Sequence, residues 1–251
     1  GNFKSFRDVS VKLGPLNIFI GPNASGKSNF FDALRVLQGI GYGFTLREIL
    51  DGKPKSATSE VWEGIRGGSA HLAFSSGGEH GIVSLRACGK LPDRLGWTFD
   101  LSLAFLSEQA LLQAESLHVD GQTLYEAPEG ERTPIGSELS LQYYMRAGAR
   151  GRTRVQRNRP VLVQIAREAE GKRASTHSRT AEQVAHLFAD VQRIDPLPSL
   201  LREYSKAYEI KRMGERGENF AALVRMICSD PETKEAYLKW LRAMRPRDIG
   251  L

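Results

Sequence analysis

Apolar and polar positions alternate in two different ways along this chain, and the change of period marks its parts. Val9, Val11 and Leu13 alternate with polar residues, as in a half-buried strand. Gly14-Pro15 is a turn signal, and Leu16 to Ile20 is a short, mostly apolar run that predicts a buried strand. Phe30, Ala33, Leu34 and Leu37 then fall at helical spacing, with Gly39 as the expected stop. Residues 40 to 68 are punctuated by glycine and carry no clear period.

From Ser69 to Leu124 the period returns to two. Strands are predicted at His71–Phe74, Ile82–Arg86, Trp97–Leu103 and Ser116–Val119, separated by turn clusters. Asp120-Gly121 between apolar positions is a hairpin signal. This stretch predicts an antiparallel subdomain inserted after the first helix. Further on, Ala181–Val191, Phe220–Cys228 and Lys234–Met244 read as helices, with Asp195-Pro196-Leu197-Pro198 as a break. Pro231 opens the last helix and Asp230 is its expected cap.

Between the strand at Leu16 and the helix at Phe30 stands Gly21-Pro22-Asn23-Ala24-Ser25-Gly26-Lys27-Ser28, a complete G-x-x-x-x-G-K-S loop. Such a loop turns successive backbone N–H groups inward around the phosphates of a nucleotide. Glycine at both ends lets the backbone approach the anion closely. Lys27 would reach the β- and γ-phosphates, and the Ser28 hydroxyl would ligate Mg²⁺, a hard cation that prefers oxygen. The helix that follows offers its positive end to the same phosphates. The expected ligands are therefore ATP and Mg²⁺.

Composition changes this picture in one place. The 251 residues carry a formal net charge of +6. Ten Arg/Lys against two Glu lie between Arg146 and Arg179, a local +8 that leaves −2 for the remainder. Arg152, Arg154, Arg157 and Arg159 are accordingly candidates for DNA phosphates, with a solvated loop or a docking face for an acidic partner as the alternatives. Cys88 and Cys228 have no ligand spacing around them, and the five histidines show no H-x-H or H-E-x-x-H pattern. No apolar run approaches the roughly 18 residues that span a bilayer, and no signal peptide is visible. The expectation is a cytoplasmic protein with no membrane partner.

The residues Asn2-Phe3-Lys4-Ser5-Phe6-Arg7-Asp8, followed by Leu16-Asn17-Ile18-Phe19-Ile20 and the loop through Asn29, resemble the start of ABC-type ATPases of the SMC/RecF/OLD group. These are DNA-repair, chromosome-structure and phage-defence ATPases. The resemblance implies a P-loop NTPase (ABC ATPase-like) α/β core with the inserted antiparallel β subdomain and a helical C-terminal part. In these terms residues 1–50 form the nucleotide-binding core, 51–140 the arm, 141–180 the basic segment and 181–251 the linker and helices. It also implies that Lys4, Ser5 and Asn29 lie near the nucleotide, and it makes Gln192 a candidate for the glutamine that senses Mg²⁺ and water. Where the group usually has a second loop glycine, this chain has Ala24.

The resemblance implies three further elements: a signature serine motif, an apolar strand ending in Asp-Glu, and a later His. The sequence has no Asp-Glu dipeptide. Ser76-Gly77-Gly78-Glu79 superficially resembles the signature but precedes an alternating strand, which favours a turn. Leu117-His118-Val119-Asp120 runs into Gly121 and reads as a hairpin arm. No catalytic carboxylate can be assigned, so the catalytic half is expected outside these 251 residues, in the rest of a longer chain or in a separate one, with a second head as the partner. Two rivals remain: a non-hydrolysing nucleotide-binding module, and a P-loop kinase, which the strand pattern at 69–124 disfavours.

Overall fold

The computed structural model describes residues 1–54, 62–72, 81–106, 109–127, 138–144, 150–167, 176–203 and 212–243. The chain forms two compact units, Gly1–Val191 and Gln192–Leu251.

In the first unit a six-stranded antiparallel sheet carries most of the core. Its strands are β1 (Ile82–Lys90), β2 (Gly96–Leu106), β3 (Gln109–Val119), β4 (Gln122–Ala127), β5 (Glu138–Tyr144) and β6 (Arg150–Gln156), paired in chain order. Alternation sets the inner face: Phe99, Leu101 and Leu103 of β2 lie opposite Leu117, Glu115 and Leu112 of β3, and all six are buried. The outer face carries the cross-strand row Arg86, Asp100, Ser116, Glu126, Gln142 and Arg152. Asp120 and Gly121 both have left-handed φ, 49° and 76°, the conformation of a two-residue type I′ hairpin. Part of the basic segment, Arg150–Gln156, thus lies inside the sheet as its last strand.

Among the described residues, four α-helices accompany the sheet in this unit: α1 (Lys27–Gly41), α2 (Leu46–Asp51), α3 (Val161–Ala166) and α4 (Thr176–Ala189). Phe188 of α4 stacks edge-on against Trp97 and Phe99, with ring centroids 5.6 and 5.2 Å apart. Helix α1 runs past the expected stop at Gly39 and ends at Gly41. There it touches α4 so closely that a Cβ on Gly41 would collide with the backbone of Ala185 and Ala189. Thr45 and Glu48 form a full capping box on α2, in the stretch whose sequence had no period.

Three strand expectations change. Val9–Leu13 and Leu16–Ile20 pair with no strand among the described residues. Phe19 packs against Phe30 and Phe31 of α1, at 5.0 and 5.3 Å, whereas Leu16, Ile18 and Ile20 are 79%, 78% and 92% exposed. The physical reason is that a strand is completed by its neighbours, and these segments have none here. The strand expected at His71–Phe74 is replaced at its start by a short 3₁₀ turn, Ser69–His71. Residues 73–80, which include Ser76–Glu79, lie outside the described residues.

The second unit contains α5 (Pro198–Leu201), α6 (Phe220–Ile227) and α7 (Pro231–Ala243). Asp230 caps α7 by accepting the Thr233 N–H at 2.9 Å, with Pro231 as the first helical residue. Hydrogen bonding from the Thr233 backbone, and then from its side chain, holds the Asp230 carboxyl below its ordinary value.

Candidate nucleotide-binding site

The loop at residues 21–28 owes its shape to two left-handed residues. Ala24 has φ 64° and Gly26, which caps α1, has φ 90°. This explains both the glycine at 26 and the usual glycine at 24. An alanine in the left-handed region costs about 1 kcal/mol more than a glycine does. Gly26 is also needed for space: a Cβ there would stand 2.8 Å from the Phe6 ring. The loop therefore rests on the N-terminal turn, whose Phe3 is buried and bridges to Phe6.

Lys27 folds its ammonium over the loop. Its Nζ donates to the carbonyls of Gly21 and Pro22, each at 2.6 Å, and to Ser25 Oγ at 3.3 Å. Ser28 follows, exposed, at the second position of the helix. The first N–H groups of a helix have no intrahelical partner and point along its axis toward an anion. The donor set suits a phosphate chain, and the exposed Ser28 oxygen suits Mg²⁺ beside it.

Ser5 and Asn29 come together at this site, and Lys4 joins them through an acid on α1. Asn29 Nδ2 donates to Ser5 Oγ at 2.7 Å. Lys4 Nζ donates to Asp32 Oδ2 and to the Arg66 carbonyl, both at 2.6 Å. Two residues that sequence reasoning missed, Asp32 and Arg66, complete the cluster. Arg66 Nη2 donates to Asp32 Oδ2 at 2.8 Å and to Asn29 Oδ1 at 3.0 Å. One signal was available: Asp32 follows Ser28 by four residues, hence shares its helix face, and an acid on the apolar-flanked helix of a phosphate loop needs a cation.

The remaining candidates scatter. Gln192 opens the second unit, where its amide donates to the Met213 carbonyl. Arg152 and Arg154 are exposed on β6. Arg157 is buried, with Nε on the Leu112 carbonyl at 2.9 Å and Nη2 on Gln113 Oε1 at 3.4 Å. Arg159 Nη1 donates to the Gly43 carbonyl at 2.6 Å, and burial, followed by the nearby Arg167 charge, holds its guanidinium below the ordinary value. These last two are fasteners between β3, the α3 entrance and the end of α1. Among the described residues, no helix is long and apolar enough to cross a membrane, and no group of three His, Cys, Asp or Glu could hold a metal.

No curated protein and no solved structure matches the chain. A family model described as "AAA domain, putative AbiEii toxin, Type IV TA system" matches residues 16–87. That span takes in the loop, α1, Asp32 and Arg66. The match supports a P-loop, AAA-type nucleotide-binding ATPase domain over these residues.

Proposed function

We propose that this chain is the nucleotide-binding part of an ABC-type ATPase head of the SMC/RecF/OLD kind. It takes Mg-ATP on Gly21–Ser28, with Ser5, Asn29 and Arg66 beside the loop. A second head closes on it, and ATP binding and hydrolysis are coupled to DNA transactions or to phage defence. One observation carries the reading: Lys27 sits over a loop whose Ala24 and Gly26 are left-handed, at the mouth of a 15-residue helix. Bound Mg-ATP brings the transferable phosphoryl group and the cation that neutralises its charge; the chain's own residues hold and orient it.

Two features support completion by other polypeptide. Leu16, Ile18 and Ile20 expose apolar side chains next to the loop, where an ATPase core would be covered. The sequence also lacks the Asp-Glu pair that would activate water. A glutamate in that role on the completing polypeptide would separate an ATPase from the non-hydrolysing alternative.

The test is a titration of wild type and Lys27→Ala with Mg-ATP, alongside thermal melts. The expected result is loss of binding with a cooperative melt retained, the lost Lys27 bonds to the loop lowering the melting temperature only slightly. Affinities within about threefold of each other would sink the reading.

A second reading concerns DNA. Arg152 and Arg154 project from one face of β6, roughly 7 Å apart along the strand, and are exposed. Of the four arginines singled out in the basic segment, these two are open to phosphates, Arg154 being held only loosely by Glu138 at 3.5 Å.

A further inference from the structure

Asp32 accepts two cations while almost wholly buried, and the ring it closes touches the phosphate loop at two points. Its side chain is 3% exposed. Lys4 Nζ and Arg66 Nη2 both donate to Oδ2, at 2.6 and 2.8 Å, and Arg66 Nε adds a bond at 3.1 Å. Arg66 Nη2 continues to Asn29, and Asn29 to Ser5, whose peptide leads back to Lys4. Asn29 is the neighbour of Ser28, and Ser5 Oγ lies 3.8 Å from where a Cβ on Gly26 would stand.

The charges do not balance. One carboxylate neutralises one cation, so the ring keeps a surplus of +1. Lys4, 8% exposed, is the counter-ion that burial of Asp32 requires. Its backbone takes the left-handed φ of 49°, an unfavourable choice for a lysine, as it reaches the carboxylate. Arg66, 57% exposed, carries the surplus. A guanidinium has five N–H donors in a fixed fork. Its Nε and Nη2 are occupied by Asp32 and Asn29, and Nη1 makes no hydrogen bond among the described residues.

We propose that Asp32 is a positioning residue for the nucleotide, holding the Arg66 fork so that its uncommitted side faces an anion on the loop. The proposal rests on the reading of Gly21–Ser28 as a nucleotide site. It differs from plain electrostatics in sign. Asp32→Asn adds one positive charge beside the loop, and long-range attraction alone would then tighten binding of a polyanion. Positioning demands the opposite, because a neutral amide no longer fixes the fork.

The experiment is a double-mutant cycle on the 251-residue chain, titrating Mg-ATP into wild type, Asp32→Asn, Arg66→Ala and the double variant, with a thermal melt of each. Asp32→Asn should weaken ATP binding about tenfold, the order of one coupled neighbouring pair. In the Arg66→Ala background the same substitution should change nothing further. Equal or tighter binding by Asp32→Asn overturns the proposal. So does an equal loss in both backgrounds, which would mark Asp32 as packing alone. Should Asp32→Asn not fold, Asp32→Glu keeps the charge but shifts the carboxylate by one methylene. Weaker ATP binding by that folded variant supports positioning, and wild-type affinity overturns it. A wild type that binds no ATP removes the nucleotide reading itself, whereas wild-type binding unchanged by Asp32→Asn removes only the role of Asp32.

Discussion

Glu115 on β3 accepts the backbone N–H of Leu162 at 2.6 Å, across 47 positions of sequence. The same carboxylate accepts the Val161 N–H at 2.8 Å and the Tyr125 hydroxyl at 2.8 Å. It thereby fastens the sheet to the start of α3. Burial pushes the Glu115 carboxyl up from 4.5 to about 7, against the opposing pull of these bonds.

The folded state consequently holds the Glu115 proton more tightly than the unfolded chain does. The stability this contributes is complete below pH 4.5 and is lost as pH rises through about 7. The loss is on the order of 3 kcal/mol. Glu115→Gln removes the titration but satisfies the two helix N–H groups less well, costing about 1–3 kcal/mol at low pH. Denaturant melts of both proteins from pH 5 to 8 should show the gap narrowing as pH rises. A gap that is constant or widens would refute the assignment.

Ala24 stands where the loop needs a left-handed residue, φ 64°. Ala24→Gly should therefore stabilise the protein by about 1 kcal/mol, or roughly 2–4 °C at this size. Differential scanning calorimetry decides it, and a fall in melting temperature would show that the strain is absent.

Gly41 tests the crossing of α1 and α4. Gly→Ala within a helix normally gains up to about 1 kcal/mol. Here the new Cβ meets the backbone of Ala185 and Ala189, which cannot move aside as a side chain could. Gly41→Ala should lose about 2 kcal/mol, seen as a drop of roughly 4–8 °C. A gain in stability would mean the helices part at little cost.

The four candidate arginines of the basic segment separate into two exposed ones, Arg152 and Arg154, and two structural ones, Arg157 and Arg159. Changing Arg152 and Arg154 together to Glu should weaken duplex DNA binding for every sequence and flatten its salt dependence, with the melting temperature nearly unchanged. Arg157→Glu should instead destabilise the fold, since it buries a charge against the Leu112 carbonyl. Fluorescence anisotropy at two salt concentrations, with melts in parallel, distinguishes these outcomes. Equal DNA affinity in the double variant would remove DNA from this face.

The 251 residues should bind ATP without appreciable turnover. No carboxylate follows an apolar strand as an Asp-Glu pair. A purified sample reaching about 1 s⁻¹ or more would reveal a catalytic acid among the residues already present.

The phosphate loop was legible in the sequence because its chemistry is local. Eight consecutive residues specify it, and the helix period after it and the Asp120-Gly121 hairpin are equally short-range signals. The inner faces of β2 and β3 were legible for the same reason, since alternation is a property of the strand itself. What tertiary structure decided depends on partners far away in the chain. The ammonium of Lys4 goes to Asp32, 28 positions on, a partner that no local pattern names. Arg157 and Arg159 look like Arg152 and Arg154 in sequence; only the packing of β6 and α3 turns them inward to Leu112 and Gly43. Leu16, Ile18 and Ile20 carry a strand's pattern without a strand's pairing, because composition sets the propensity to pair but a ladder exists only where a second backbone supplies the hydrogen bonds.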